Sequence, residues 1–215
     1  MNTKEQFVIT INRELGSGGR TVGRKLAEKL GVPFYDKAVV KALSKKYHLT
    51  TEEIERLKGL KHNWWTELKR TWITNMNLAN SVEYYMPVEG DEPDLLKPDD
   101  VFKAESEIIK GIAEDESCVI AGRSGFYVLR NHPNHLSILI QSPMESRIAR
   151  VMQKQKLSRE DAVKAIEKVD QMRENYVSHY TKTSRYDTRN YDLVINSAGK
   201  TEDQVVDLIV KFIEG

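Results

Sequence analysis

With a single cysteine, Cys118, the chain cannot build an internal disulfide framework. That thiol sits in the apolar run CVIAG, which predicts a packed core residue in a reducing interior rather than a nucleophile. An excess of one charge is also missing. The 33 basic residues nearly balance the 32 acidic ones, and a net charge of +1 excludes general attraction to a nucleic acid polymer or an acidic membrane, so any anion site must be local. No stretch approaches the ~20 consecutive apolar residues of a membrane span, and the polar start MNTKEQ lacks the apolar centre of a secretory signal. Together these absences predict a cytoplasmic protein. No Ser, His and Asp fall in an order that strand ends would support as a hydrolase triad. His132 and His135 in NHPNH have no third ligand nearby and read as a surface turn rather than a metal site.

What is present is an ordinary globular composition, 40% hydrophobic and 30% charged over 215 residues, enough for one domain with an insertion or lid. Five segments read as strands: FVITIN (7–12), PFYD (33–36), CVIAG (118–122), LSILIQ (136–141) and YDLVIN (191–196). Most are continuous apolar runs, the pattern of strands covered on both faces. Helical patterns lie between them. Ser142, Pro143, Met144 and Glu145 read as a capping box with proline at the first helical position, and Ser158 to Asp161 and Thr201 to Gln204 repeat the capping logic. Strand and helix in alternation predict an α/β fold, a five-stranded parallel sheet with helices on both faces and ligands at the carboxyl ends of the strands.

The segment from 38 to 100 breaks this repeat and reads as a helical insertion. Thr50 with Glu53 caps one helix, and Trp64, Trp65, Leu68, Trp72, Ile73 and Met76 form a stripe along a helical face, read as core or homodimer packing ahead of base stacking. From Tyr84 to Asp100 the acidic, proline-rich YYMPVEGDEPDLLKPDD reads as a long exposed loop.

The informative absence lies in the loop after the first strand. Gly16, Ser17, Gly18 and Gly19 follow an apolar strand and precede a helix, Arg20 to Leu30, which is the layout of a phosphate-binding loop. The standard pattern, GxxxxGK[ST], has a lysine where this chain has Gly19. Arg20 follows at once and offers a guanidinium to the same phosphates, and Thr21 stands where a hydroxyl can ligand Mg²⁺. A glycine turn that merely starts a helix is the alternative. Asp36, at the end of the second strand, reads as a helix N-cap or as a residue meeting an acceptor. Arg147 and Arg150, spaced i, i+3, share a helix face, either as catalytic charge or as a solvated surface; for Lys164 and Lys168 the solvated surface is preferred. Tyr176, Tyr180 and Tyr186 flank Arg173 and Arg185, and packing is preferred over base stacking.

INRELGSGGRTVGRKLAEKLGVPFYDK, with AGRSG at 121–125 and SPMESRIARVMQKQKLSREDAVKAIEKVDQMRENY, resembles the cytidylate kinase-like family of P-loop nucleoside monophosphate kinases. The resemblance implies a P-loop kinase-like three-layer sandwich. Its core would be 1–37, 101–142 and 187–215, with an acceptor-binding insertion at 38–100 and an arginine-bearing lid at 143–186. It also implies transfer of phosphate from ATP, with Mg²⁺, to a nucleotide substrate, CMP or dCMP. GSGGRT matches the family's GAGKGT except at the lysine, and Gly122 and Arg123 match its GRD, whose arginine contacts the acceptor, with Ser124 replacing the aspartate. On this resemblance the loop from Gly16 to Thr21 holds the donor phosphates. Asp36 and Arg123 hold the acceptor, and Arg20, Arg147, Arg150 and Arg173 stabilise transferred charge, with Asp170 and Glu174 in the same cluster. Two rivals share the fold, a nucleotide-binding module without turnover and a kinase for another small metabolite. A third reading is an interaction scaffold built on the tryptophan stripe.

Overall fold

The computed structural model describes residues 1–36 and 98–215. The Thr50–Glu53 cap, the tryptophan stripe and the acidic segment as far as residue 97 lie outside the described residues. The chain forms two compact units, one made of Met1–Asp36 and Glu116–Gly215, the other of Lys37–Asp115.

In the first unit five parallel strands form one sheet: β1 (Val8–Arg13), β2 (Phe34–Asp36), β3 (Cys118–Ala121), β4 (His135–Gln141) and β5 (Leu193–Asn196), in the order β2-β3-β1-β4-β5. All five expected strands are there, with ends shifted by a residue or two. The central β1 pairs with β3 from Val8↔Cys118 to Ile11↔Ala121, and with β4 from Val8↔His135 to Arg13↔Ile140. Cys118 is fully buried, as its apolar run required.

Side chains alternate across the sheet. Phe7, Ile9 and Ile11 join one core with Val22, Leu26 and Ala27 of α1 (Gly19–Leu30) and with Val205, Val206, Ile209 and Ile213 of the C-terminal helix, Glu202–Glu214. Thr10, of the opposite parity, meets Gly125 at the start of the short helix Gly125–Val128 on the other face. Arg13 has the parity of Ile9 and Ile11, so it is the last β1 residue on the face covered by α1.

The second unit contributes one described helix, α2 (Pro98–Asp115). Residues 98–100 are therefore helical rather than loop: Pro98 opens the helix, where its missing N–H costs nothing. Following β3 are α3 (Gly125–Val128), then α4 (Met144–Gln155), α5 (Arg159–Thr181) and α6 (Glu202–Glu214). Two of the three caps form as expected. Ser158 accepts from the Asp161 N–H, and Thr201 and Gln204 make a reciprocal capping box. The third does not. Pro143 itself occupies the N-cap of α4 with no side-chain cap, and the Ser142 N–H donates to Glu14 Oε2 at 2.9 Å. A carboxylate from the glycine loop has taken that amide, so the box has no role there.

Candidate active site

The β1–α1 loop lies at the carboxyl edge of the central strand, where open α/β sheets bind ligands. Gly16 and Gly18 have φ of 85° and 82°, a region that glycine enters without strain. At Gly16 closeness matters as well: a Cβ there would stand 2.7 Å from the Arg147 carbonyl oxygen of α4. The first-turn N–H groups of α1 open at this loop with the positive end of the helix dipole.

Long-range contacts clamp the loop backbone. The Leu15 N–H donates to Asp170 Oδ1 at 3.0 Å, and the Leu15 carbonyl accepts from Arg147 Nε at 2.8 Å. Arg147 also pairs with Asp170 and lies 3.3 Å from Glu14 Oε1; Arg147 and Asp170 are each only 8% exposed. Ser197 Oγ, just beyond β5, donates to the Ser17 carbonyl at 2.8 Å. The Arg13 carbonyl accepts from Arg173 Nη1 at 3.1 Å and from Arg185 Nη2. Sheet, α4 and α5 thus hold one short loop.

The expected site residues fall into two groups. Arg150 comes to the cradle, its guanidinium 3.0 Å from where a Gly18 Cβ would be, while it pairs with Glu202. Arg173 joins at the strand end, and Lys154 Nζ donates to Thr21 Oγ1 at 3.4 Å. Arg147 serves as a brace under the loop. Arg20 turns toward β2, where its Nε donates to Asp36 Oδ2 at 2.8 Å; that carboxylate is nearly buried. Lys164 and Lys168 are exposed, as a solvated face requires.

Just beyond the neighbouring strand β3, Gly122, Arg123 and Ser124 all have positive φ, of 84°, 56° and 54°. Two non-glycine residues in that region make the β3–α3 turn a strained one, the kind of backbone that functional sites retain. The Arg123 guanidinium lies 4.8 Å from the centre of the Tyr176 ring of α5. Burial lowers its pKa, partly offset by Tyr176 and Tyr180, and burial raises that of Tyr176. The two tyrosine rings pack at 5.0 Å.

Neither Arg13 nor Arg185 is a candidate site residue from the sequence, where Arg185 figures only beside the tyrosines, yet both reach the loop. Arg185 is fully buried, and among the described residues its Nε and Nη1 have no hydrogen-bond acceptor. Arg185 Nη1 lies 3.5 Å from Asp170 Oδ1, so the cluster has a counter-charge. Buried donors left without a hydrogen bond are costly, and a phosphate oxygen is the kind of acceptor guanidinium donors take. The bare glycine backbone, the helix N-terminus and these guanidinium donors fit a nucleotide's phosphate chain. For Mg²⁺ the structure offers the Thr21 hydroxyl; among the described residues no cluster of three carboxylate, histidine or cysteine ligands forms a separate metal site.

A parallel sheet in this order, with a glycine cradle after its central strand, defines a kinase-type P-loop α/β fold. The chain belongs to the cytidylate kinase-like family, whose model matches residues 8–199. Among solved structures it is similar to an uncharacterized protein from Eubacterium ventriosum, with a TM-score of 0.69, 25% identity, and coverage of 98% of this chain and 99% of that one. It shares its fold with a shikimate kinase from Bacteroides thetaiotaomicron, with a TM-score of 0.53, 13% identity, and coverage of 98% and 100%. A curated uronate isomerase from Corynebacterium glutamicum is 34% identical over 99 residues, 46% of this chain. The match spans only 19% of that protein's length. No described helix is long and apolar enough to cross a membrane.

Proposed function

We propose that the chain transfers the γ-phosphoryl group of ATP, with Mg²⁺, to a nucleoside monophosphate, CMP or dCMP being the acceptors that family membership favours. The observation that carries this reading is the cradle itself: glycine backbone at the carboxyl end of β1, gripped at Leu15 by Asp170 and Arg147. Rigid amides and arginines match the needs of phosphoryl transfer, which is driven by positioning and charge neutralisation rather than by a nucleophilic side chain.

In this scheme the N–H groups from Gly16 to Arg20 would bind the donor phosphates, those of Ser17 and Gly19 exchanging their bonds to the Glu14 carbonyl and Ser17 Oγ, and the Thr21 hydroxyl would hold Mg²⁺ in exchange for its Lys154 contact. Arg150 and Arg173 neutralise charge as it shifts toward the leaving oxygen, while Arg147 holds the loop in shape. Arg123 and the Arg20–Asp36 pair face the acceptor. The bond from the γ-phosphorus to the β-phosphate oxygen breaks as one forms to an acceptor phosphate oxygen, which is already ionised and needs no general base. A coupled assay for ADP across a panel of monophosphates tests this, with turnover expected on a pyrimidine monophosphate.

One observation supports a second reading. Ser124 stands where the family has an acceptor-side aspartate, and it is buried in a left-handed conformation. Under that reading ADP forms only with a small non-nucleotide acceptor. A module that binds ATP without turnover would show calorimetric binding and no ADP.

A further inference from the structure

The missing lysine has a structural counterpart one strand end away. Aligning Gly18 with the second glycine of GxxxxGK places Gly19 at the lysine and Arg13 at the first glycine. The chain therefore departs from the pattern twice and in opposite senses, with a cation where the loop is normally bare and a bare residue where it normally carries a cation.

These two positions are in contact. A Cβ built on Gly19 would lie 2.6 Å from Arg13 Cβ, 3.1 Å from its Cγ and 3.4 Å from Ile140 Cβ. The Arg13 Cβ is fixed by the backbone and cannot swing aside, so a side chain at 13 excludes one at 19. From there the Arg13 stem runs across the first residue of α1, and its guanidinium lies against Gly122. A Cβ at Gly122 would overlap Nη1 and stand 3.2 Å from Cζ. Arg13 thus spans from the start of the donor helix to the turn that carries Arg123. Its backbone origin is held by the two guanidinium donors on its carbonyl.

We propose that Arg13 supplies the phosphate-binding cation that position 19 lacks, reaching the transferred phosphoryl group from the end of β1. The proposal rests on the reading that this loop holds ATP. A planar guanidinium with five donors can bridge two phosphates where an ammonium contacts one point, and it stays charged throughout. It takes no part in bond making and exchanges no proton; it neutralises the oxygens between donor and acceptor.

The test is a reciprocal swap: Arg13→Gln, Arg13→Gly, Gly19→Lys and the double variant R13G/G19K. Affinity for ATP with Mg²⁺ is read by calorimetry, ADP formation with CMP and other monophosphates by a coupled assay, and folding by thermal melting. Arg13→Gln keeps the stem over Gly19 and is expected to fold, to bind ATP about tenfold more weakly and to lose turnover by about a hundredfold or more. Gly19→Lys alone should lower the melting temperature, and the double variant, with the standard pattern rebuilt, should recover turnover to within about tenfold of wild type. Wild-type ATP affinity and turnover in Arg13→Gln would overturn the proposal while leaving the kinase reading intact. So would a Gly19→Lys protein that melts and turns over like wild type. If the unmodified chain neither binds ATP nor releases ADP, the kinase reading fails and the proposal fails with it.

Discussion

At the residue scale the decisive group is Asp170. Its carboxylate meets the Leu15 N–H, pairs with Arg147 and lies 3.6 Å from Arg173 and 3.5 Å from Arg185. Removing it leaves buried guanidinium groups without their counter-charge. Asp170→Ala should destabilise the fold by about 3–5 kcal/mol, measured by denaturant unfolding. Arg20 is tested differently because it is engaged with Asp36 at the end of β2. Arg20→Ala should raise the acceptor KM while leaving the ATP dissociation constant within about twofold. A large loss of ATP affinity would return Arg20 to the donor site. The sequence showed that arginines were plentiful near the loop but not which carboxylate each would meet. Leu15 and Asp170 are 155 positions apart, and no local pattern announces such a pair. Arg13 is legible in the sequence, since counting GxxxxGK back from Gly18 reaches it, but the nearest cation to the missing lysine is Arg20.

Among the elements, strand and helix identity was legible because the physics is local. Mostly continuous apolar runs marked the five strands, and serine or threonine three residues before Asp161 and Gln204 marked the starts of α5 and α6. Ser158→Ala and Thr201→Ala should each cost about 1 kcal/mol in chemical denaturation. Ser142→Ala should cost less than about 0.5 kcal/mol, because that side chain caps nothing. The reading at Ser142 failed through competition: Glu14, far away in sequence, takes the amide that a local box would have organised. Capping patterns fix a helix start only where no tertiary partner intervenes.

On the scale of the whole molecule, one partly buried base links the sheet to pH. His135, at the start of β4, shares a 2.7 Å hydrogen bond with Thr10 Oγ1 of β1. Burial pulls its pKa down to about 4, with Asp192 opposing and His132 reinforcing the shift. The unfolded chain protonates near 6.5, so between about pH 6.5 and 4 it binds the proton that the folded state refuses. Stability from this group is present above 6.5 and falls as the pH drops, by at most about 2 kcal/mol at pH 5. His135→Gln should flatten that part of the pH–stability curve. The assembly of the candidate phosphate site across β1, α4 and α5 belongs to the same scale and was foreseen only in outline. The class of fold follows from alternation and the glycine loop, but the grip of two distant helices on Leu15 depends on tertiary geometry that spacing does not encode.

The central claim is that a glycine loop without its lysine still delivers phosphate from ATP. The direct measurement is ADP release by the unmodified chain with ATP, Mg²⁺ and a panel of nucleoside monophosphates, with calorimetric ATP binding on the same preparation. The account predicts saturable ATP binding and acceptor-dependent ADP formation with a pyrimidine monophosphate; folded protein that binds no ATP and forms no ADP with any acceptor would contradict it.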